Sequence, residues 1–111
     1  MKISEVAQGI LDVYAKPNSW TQGSFAKVTP RGRIVSPESS EATCLAGAAV
    51  RVLCNPDLYE NLPYYYNFMG FFEKVIGVRS AATFNDDHCE SKKDVIAALE
   101  IVRDCAICED K

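Results

Sequence analysis

Apolar residues recur at three- and four-residue spacing along most of this chain, and that period points to a helical fold rather than a sheet. Ile3, Val6, Ala7, Ile10, Leu11 and Tyr14 keep to it. They predict a first helix over residues 4–16, with Ser4 as N-cap and Pro17-Asn18-Ser19 as its stop. A second helix is expected from Ser39 or Ser40 to about Cys54, where Asn55-Pro56 ends it. Its middle, CLAGAAVRVL, is rich in small residues that let another backbone approach. A third is predicted over 63–76, opened by Pro63, whose missing N–H is not needed in a first turn, and closed by Gly77. Ser91-Lys92-Lys93-Asp94 has the form of a capping box. Val95, Ile96, Leu99, Val102 and Ala106 follow at helical spacing, predicting a fourth helix over 92–106.

One stretch breaks the helical pattern. Residues 25–28 and 33–35 flank Thr29-Pro30-Arg31-Gly32, a sequence suited to a type I turn, so a short β-hairpin is expected there. A hairpin of that size needs something to lie on. The fold class read from the residues is therefore mainly α (α+β), with about four helices and one small β-hairpin.

At 111 residues, a single domain over 1–111 buries a sufficient core without metal or disulfide staples. The apolar stretches fall far short of the ~18 residues of a membrane span. Met1-Lys2-Ile3-Ser4-Glu5 leads into no signal-peptide core, so a cytoplasmic location is expected and no membrane association. Five cysteines are an odd number in a chain without a secretory signal, which argues against a disulfide framework. The net charge of -3 makes nucleic acid an unlikely partner in electrostatic terms. Lys27, Arg31 and Arg33 at the hairpin tip read as a solvated turn.

Four constellations carry potential chemistry. Cys105-Ala106-Ile107-Cys108 is a CxxC, but a zinc site needs two more ligands. His88 and Cys89 stand across the fourth helix, about 16 residues and roughly 24 Å away. No metal and no cofactor are expected. Cys44, early in the second helix, stands where a helix dipole favours a thiolate. With His88 as base, Asn85 or Asp86 as orienter and Gln22 as oxyanion donor, it composes a cysteine-hydrolase arrangement. The competing reading buries Cys44 in the core beside Gly47 and leaves His88 solvated. The third helix carries Tyr64, Tyr65, Tyr66, Phe68, Phe71 and Phe72. Tyr65, Phe68, Phe72 and Val75 or Ile76 make one core face. Tyr64 and Phe71 are left for a second face, an expected site of partner binding or self-association across Tyr64–Phe72. Finally, Phe84-Asn85-Asp86-Asp87-His88-Cys89 is either a ligand-binding loop or a fastening that leads into the fourth helix. Asn and Asp suit tight turns.

Trp20-Thr21-Gln22-Gly23, Cys44-Leu45-Ala46-Gly47-Ala48, and Phe84-Asn85-Asp86 before a capped helix with Val95 and Leu99 occur in this order. Together, over about residues 4–104, they resemble a family of small uncharacterised phage, prophage and bacterial proteins classed as a domain of unknown function. The resemblance implies no activity to transfer. Read from the residues themselves, Trp20, Gln22, Cys44, Asn85 and Asp86 are the candidate binding residues. The expected function is that of an accessory or binding protein acting through protein contacts; the alternative is a small-molecule site or cysteine hydrolase at Trp20, Cys44, Asn85 and Asp86.

Overall fold

A computed structural model describes residues 1–23, 26–27, 42–53 and 58–111, with side chains left aside at 26–27 and 58–62. The chain is mainly helical: α1 (Ile3–Tyr14), β1 (Ala26–Lys27), β2 (Ala42–Thr43), α2 (Leu45–Leu53), α3 (Leu58–Ile76), the single turn α4 (Ala81–Thr83), a π-helical turn (Phe84–His88) and α5 (Lys92–Cys108).

α1 and α5 run antiparallel, as contacts at both ends show. At one end Ser4 N–H donates to the Lys111 carbonyl at 3.3 Å and Lys2 Nζ meets Asp110 Oδ1 at 3.0 Å. At the other, Lys92 Nζ donates to the Lys16 carbonyl at 2.9 Å. Between them Arg103 Nη1 donates to Gln8 Oε1 at 3.0 Å. α2 and α3 close the core, which is built from Val6, Ile10 and Tyr14 of α1, Leu45 and Ala48 of α2, Phe68 and Phe72 of α3, and Val95, Leu99 and Val102 of α5. The helical period points to the faces of α1, α3 and α5 named here; for α2 the sequence shows only a run of small residues.

α1 begins one residue earlier than expected. Its start is held by Glu5, whose Oε1 accepts the Lys2 N–H at 2.9 Å, and not by a Ser4 cap. α2 starts at Leu45, five residues later than Ser40, because Ala42–Thr43 pairs antiparallel with Ala26–Lys27. The strand partner of 26–27 is thus Ala42–Thr43. The expected turn at 29–32, the strand at 33–35, the tip residues Arg31 and Arg33, Cys54 and the Asn55-Pro56 stop lie outside the described residues. α3 begins at Leu58 and takes Pro63 into its interior. There the ring removes one i→i−4 hydrogen bond. α5 has the expected box: Asp94 Oδ2 accepts from Ser91 N–H at 3.3 Å and from Glu90 N–H at 2.8 Å. It runs on to Cys108, so the CxxC is the last turn of a helix.

A correction concerns α3. Phe71 is 7% exposed and belongs to the core, with Lys111 Nζ 5.1 Å over its ring. The second face it was expected to share with Tyr64 is instead carried by Tyr66, which is 66% exposed. Helical geometry explains the difference. Phe71 lies three residues after Phe68 and flanks the buried stripe, and the Lys111 side chain lies over its ring.

Candidate functional site

Asn85 is the centre of the candidate site. It sits in the π-helical turn, whose wider ring is closed by Cys89 N–H donating to the Phe84 carbonyl at 3.1 Å. Such turns are rare and recur at functional positions. The turn delivers the Asn85 side chain into the interior, where it has no exposure. Its Oδ1 accepts from Trp20 Nε1 at 2.7 Å and from the Leu45 N–H at 3.1 Å. Its Nδ2 donates to the Thr21 carbonyl at 3.1 Å and to Asp86 Oδ1 at 2.9 Å. The oxygen faces two donors and the nitrogen two acceptors, so the neighbours fix the orientation of the amide.

Gln22 adds a second clamp. Its Nε2 donates to the carbonyls of Asn85 and Cys89, both at 2.8 Å, and more weakly to Asp86 at 3.2 Å. These are carbonyls of a turn that ends without a continuing helix, the groups most in need of donors. Asp86 Oδ1 also accepts the Gly23 N–H at 2.9 Å. Gly23 has φ +72°, a conformation glycine enters without a Cβ penalty. The segment 20–23 is thereby tied to the turn at 85–89 through both backbone and side chains.

The same segment is anchored on its other side. Thr43 N–H donates to the Ser19 carbonyl at 2.8 Å, and Thr21 N–H donates to the Thr43 carbonyl at 3.2 Å. Tyr14 Oη donates to that same carbonyl at 3.0 Å. Burial pushes the Tyr14 hydroxyl pKa well above its usual value, with the nearby Cys44 thiol adding to the rise. Thr43 Oγ1 is buried and finds no partner among the described residues.

Cys44 is the N-cap of α2. Its carbonyl accepts the Ala48 N–H at 2.8 Å and its Sγ accepts the Gly47 N–H at 3.3 Å. With Leu45 N–H bound to Asn85, the first turn of α2 has its donors covered from within the chain. Cys44 is 7% exposed. Desolvation raises the thiol pKa and outweighs the backbone N–H groups that lower it, with the Asp86 charge raising it further. A nucleophilic cysteine requires the opposite balance. His88 is exposed, and its ring stacks on Phe84 with centroids 6.5 Å apart. Among the described residues no hydrogen bond joins it to Cys44. Phe84 in turn meets Phe72 edge-on at 5.6 Å, so the turn is braced against α3.

Trp20, Gln22, Asn85 and Asp86 therefore come together in one hydrogen-bonded unit, with Cys44 next to it at the head of α2. His88 stands outside that unit. Among the described residues no group of three or more His, Cys, Asp or Glu is placed to hold a metal ion, and no helix is long and apolar enough to cross a membrane. Sequence reading missed Thr43, whose carbonyl joins Tyr14 to the 19–21 segment. The available signal was the Tyr14 hydroxyl, which a buried tyrosine must satisfy.

A family model matches residues 2–104, nearly the full span of the motifs, and its description is a family of unknown function, DUF6197. The chain belongs to that family. Neither the curated proteins nor the solved structures contain a match. The four residues of the unit and the adjacent Cys44 fall within the matched span.

Proposed function

We propose that this protein is a small cytoplasmic accessory protein, phage- or prophage-linked, that acts by contacting protein through the outward face of α3. The observation that carries this reading is Tyr66, at 66% the most exposed of the large apolar side chains among the described residues. Aromatic side chains with a polar tip dominate protein-binding hot spots. Phe68 and Phe72 anchor α3 from behind with no exposure, so Tyr66 is presented by a rigid element rather than a loop.

The Asn85 unit supports this reading indirectly. Both acceptor positions and both N–H groups of its amide are used inside the chain. It fastens the 20–23 segment, the head of α2 and the turn that braces α3. Its role in this proposal is to hold the binding face still.

The test is in-cell photo-crosslinking. A benzophenone amino acid at position 66 is expected to give a discrete adduct, while the same probe at Glu100, exposed on α5, gives none. No adduct from position 66, or the same smear from both positions, overturns the proposal.

A further inference from the structure

The centre of the outward face of α3 is Gly70. It lies in the interior of a long helix, where glycine is the least favourable residue apart from proline. Glycine inside a helix ordinarily has one of two reasons. Either the backbone needs positive φ, or a neighbour comes so close that a Cβ would strike it. Neither holds here. The positive-φ glycines among the described residues are Gly23 and Gly77. Among the described residues a Cβ built on Gly70 meets nothing within 4 Å, whereas one on Gly9 comes 2.7 Å from Val52 Cγ1. Gly9 is explained by packing inside the chain, and Gly70 is not.

The residues one turn away on either side of Gly70 are Tyr66 and Lys74, both exposed. Tyr66 borders two shallow grooves that meet at Gly70. One is lined by Lys74 and Lys111, the other by Glu73. The glutamate is held in place, since its Oε2 accepts the Ala81 N–H at 2.8 Å. The face is thus a bare backbone patch with an aromatic ring at one end and a cation at the other.

We infer that α3 pairs with α3 of a second copy of this chain, antiparallel and crossing at Gly70. This rests on the reading of α3 as the contact face and names its partner. A twofold axis through Gly70 sets each residue opposite the one equally far on the other side. Lys74 then comes opposite Tyr66 of the second copy, a pairing that occurs twice. An ammonium over a tyrosine ring is favourable. A parallel pairing sets Lys74 against Lys74, which like charge opposes. Without a Cβ at the crossing the two axes approach closely, and symmetric self-complementary contacts of this kind form closed dimers. The charge pattern favours a second copy over an unrelated protein, because each half of the face supplies what the other half lacks.

Sedimentation velocity on the full chain from 1 to 200 µM tests this, with Gly70→Leu and Lys74→Glu alongside. A concentration-dependent dimer of the 12.3 kDa chain is expected. Each variant is expected to weaken it at least tenfold while keeping wild-type helical circular dichroism. A Cβ at Gly70 meets nothing among the described residues, and the retained circular dichroism separates a lost contact from a lost fold. A chain that stays monomeric throughout, or a dimer that both variants leave unchanged, overturns the inference. The crosslink at position 66 separates the two proposals. An adduct of twice the chain mass supports both, an adduct of another mass overturns the self-pairing alone, and no adduct overturns the contact face itself.

Discussion

Asn85 shows how much one side chain can organise. It joins segments 20–21, 45 and 86 through four hydrogen bonds, and of these partners Asp86 alone is exposed, while Leu45 is buried and Trp20 and Thr21 are partly buried. Removing a buried hydrogen-bonding group leaves its partners unsatisfied, at about 1–3 kcal/mol each. Asn85→Ala strands Trp20 Nε1, the Leu45 N–H and the Thr21 carbonyl together, so a loss of roughly 3 kcal/mol or more is expected in urea unfolding. Asn85→Asp keeps the shape but turns a donor into an acceptor facing the Thr21 carbonyl and Asp86, and is expected to be no milder. Asp87→Ala and His88→Ala, at exposed positions, are expected within about 0.5 kcal/mol of the parent. If Asn85→Ala unfolds at the parent's midpoint, the fastening role is wrong. The sequence made Asn85 legible as a turn residue, and Trp20 as a ring needing an acceptor for its N–H. It did not make them legible as partners, because 65 residues separate them and nothing local encodes that approach.

At the scale of elements, helix identity was read from period, while helix ends depended on contacts from elsewhere. α5 was legible because its start signal is local: Ser91 and Asp94 are three residues apart and satisfy one another's backbone. The start of α2 was not, because a two-residue ladder with Ala26–Lys27 claims Ala42–Thr43, and such pairing leaves no trace in propensity. Pro63 suits a first turn by its missing N–H, yet α3 runs through it. The packing of α1 on α2 was hidden for the same reason. Gly9 looks like a helix-weakening residue until Val52 is found 2.7 Å from where its Cβ would be. Gly9→Ala is therefore expected to destabilise by about 1–3 kcal/mol through overpacking. Val52→Ala makes the needed room, so the double variant should be less destabilised than the sum of the singles by about 1 kcal/mol or more. Strict additivity in thermal unfolding would show that the two helices do not meet there. Asp94→Ala loses two capping bonds and is expected to lower stability by about 1 kcal/mol. A change below 0.3 kcal/mol counts against the box.

Over the whole molecule, groups that share a direction of pKa shift make the fold sensitive to alkali. Burial raises Tyr14 well above 10.0, and raises Cys44 above 9.0 and Tyr65 above 10.0. It pushes Cys89 up to about 11, with the Asp94 charge adding to the rise. In each case the folded state holds a proton that the unfolded chain gives up more readily. The stability these groups contribute is therefore fully present below their unfolded pKa values and is lost as pH rises through the folded ones. The window opens near pH 9, where unfolded thiols begin to ionise, and extends to about 11 for Cys89. Thr43 links Tyr14 to the 19–21 segment, so ionising the Tyr14 hydroxyl also removes the donor that holds that carbonyl. Urea midpoints taken at half-unit steps from pH 7 to 11 should be level to about pH 8.5 and fall steadily beyond it. Cys89→Ala should start from its own lower stability and fall with a shallower slope between pH 9 and 11. A wild-type midpoint that stays level through pH 10.5, or a Cys89→Ala slope equal to the parent's, would mean that these groups are not protonated by burial and that the packing around the Asn85 unit is looser than described.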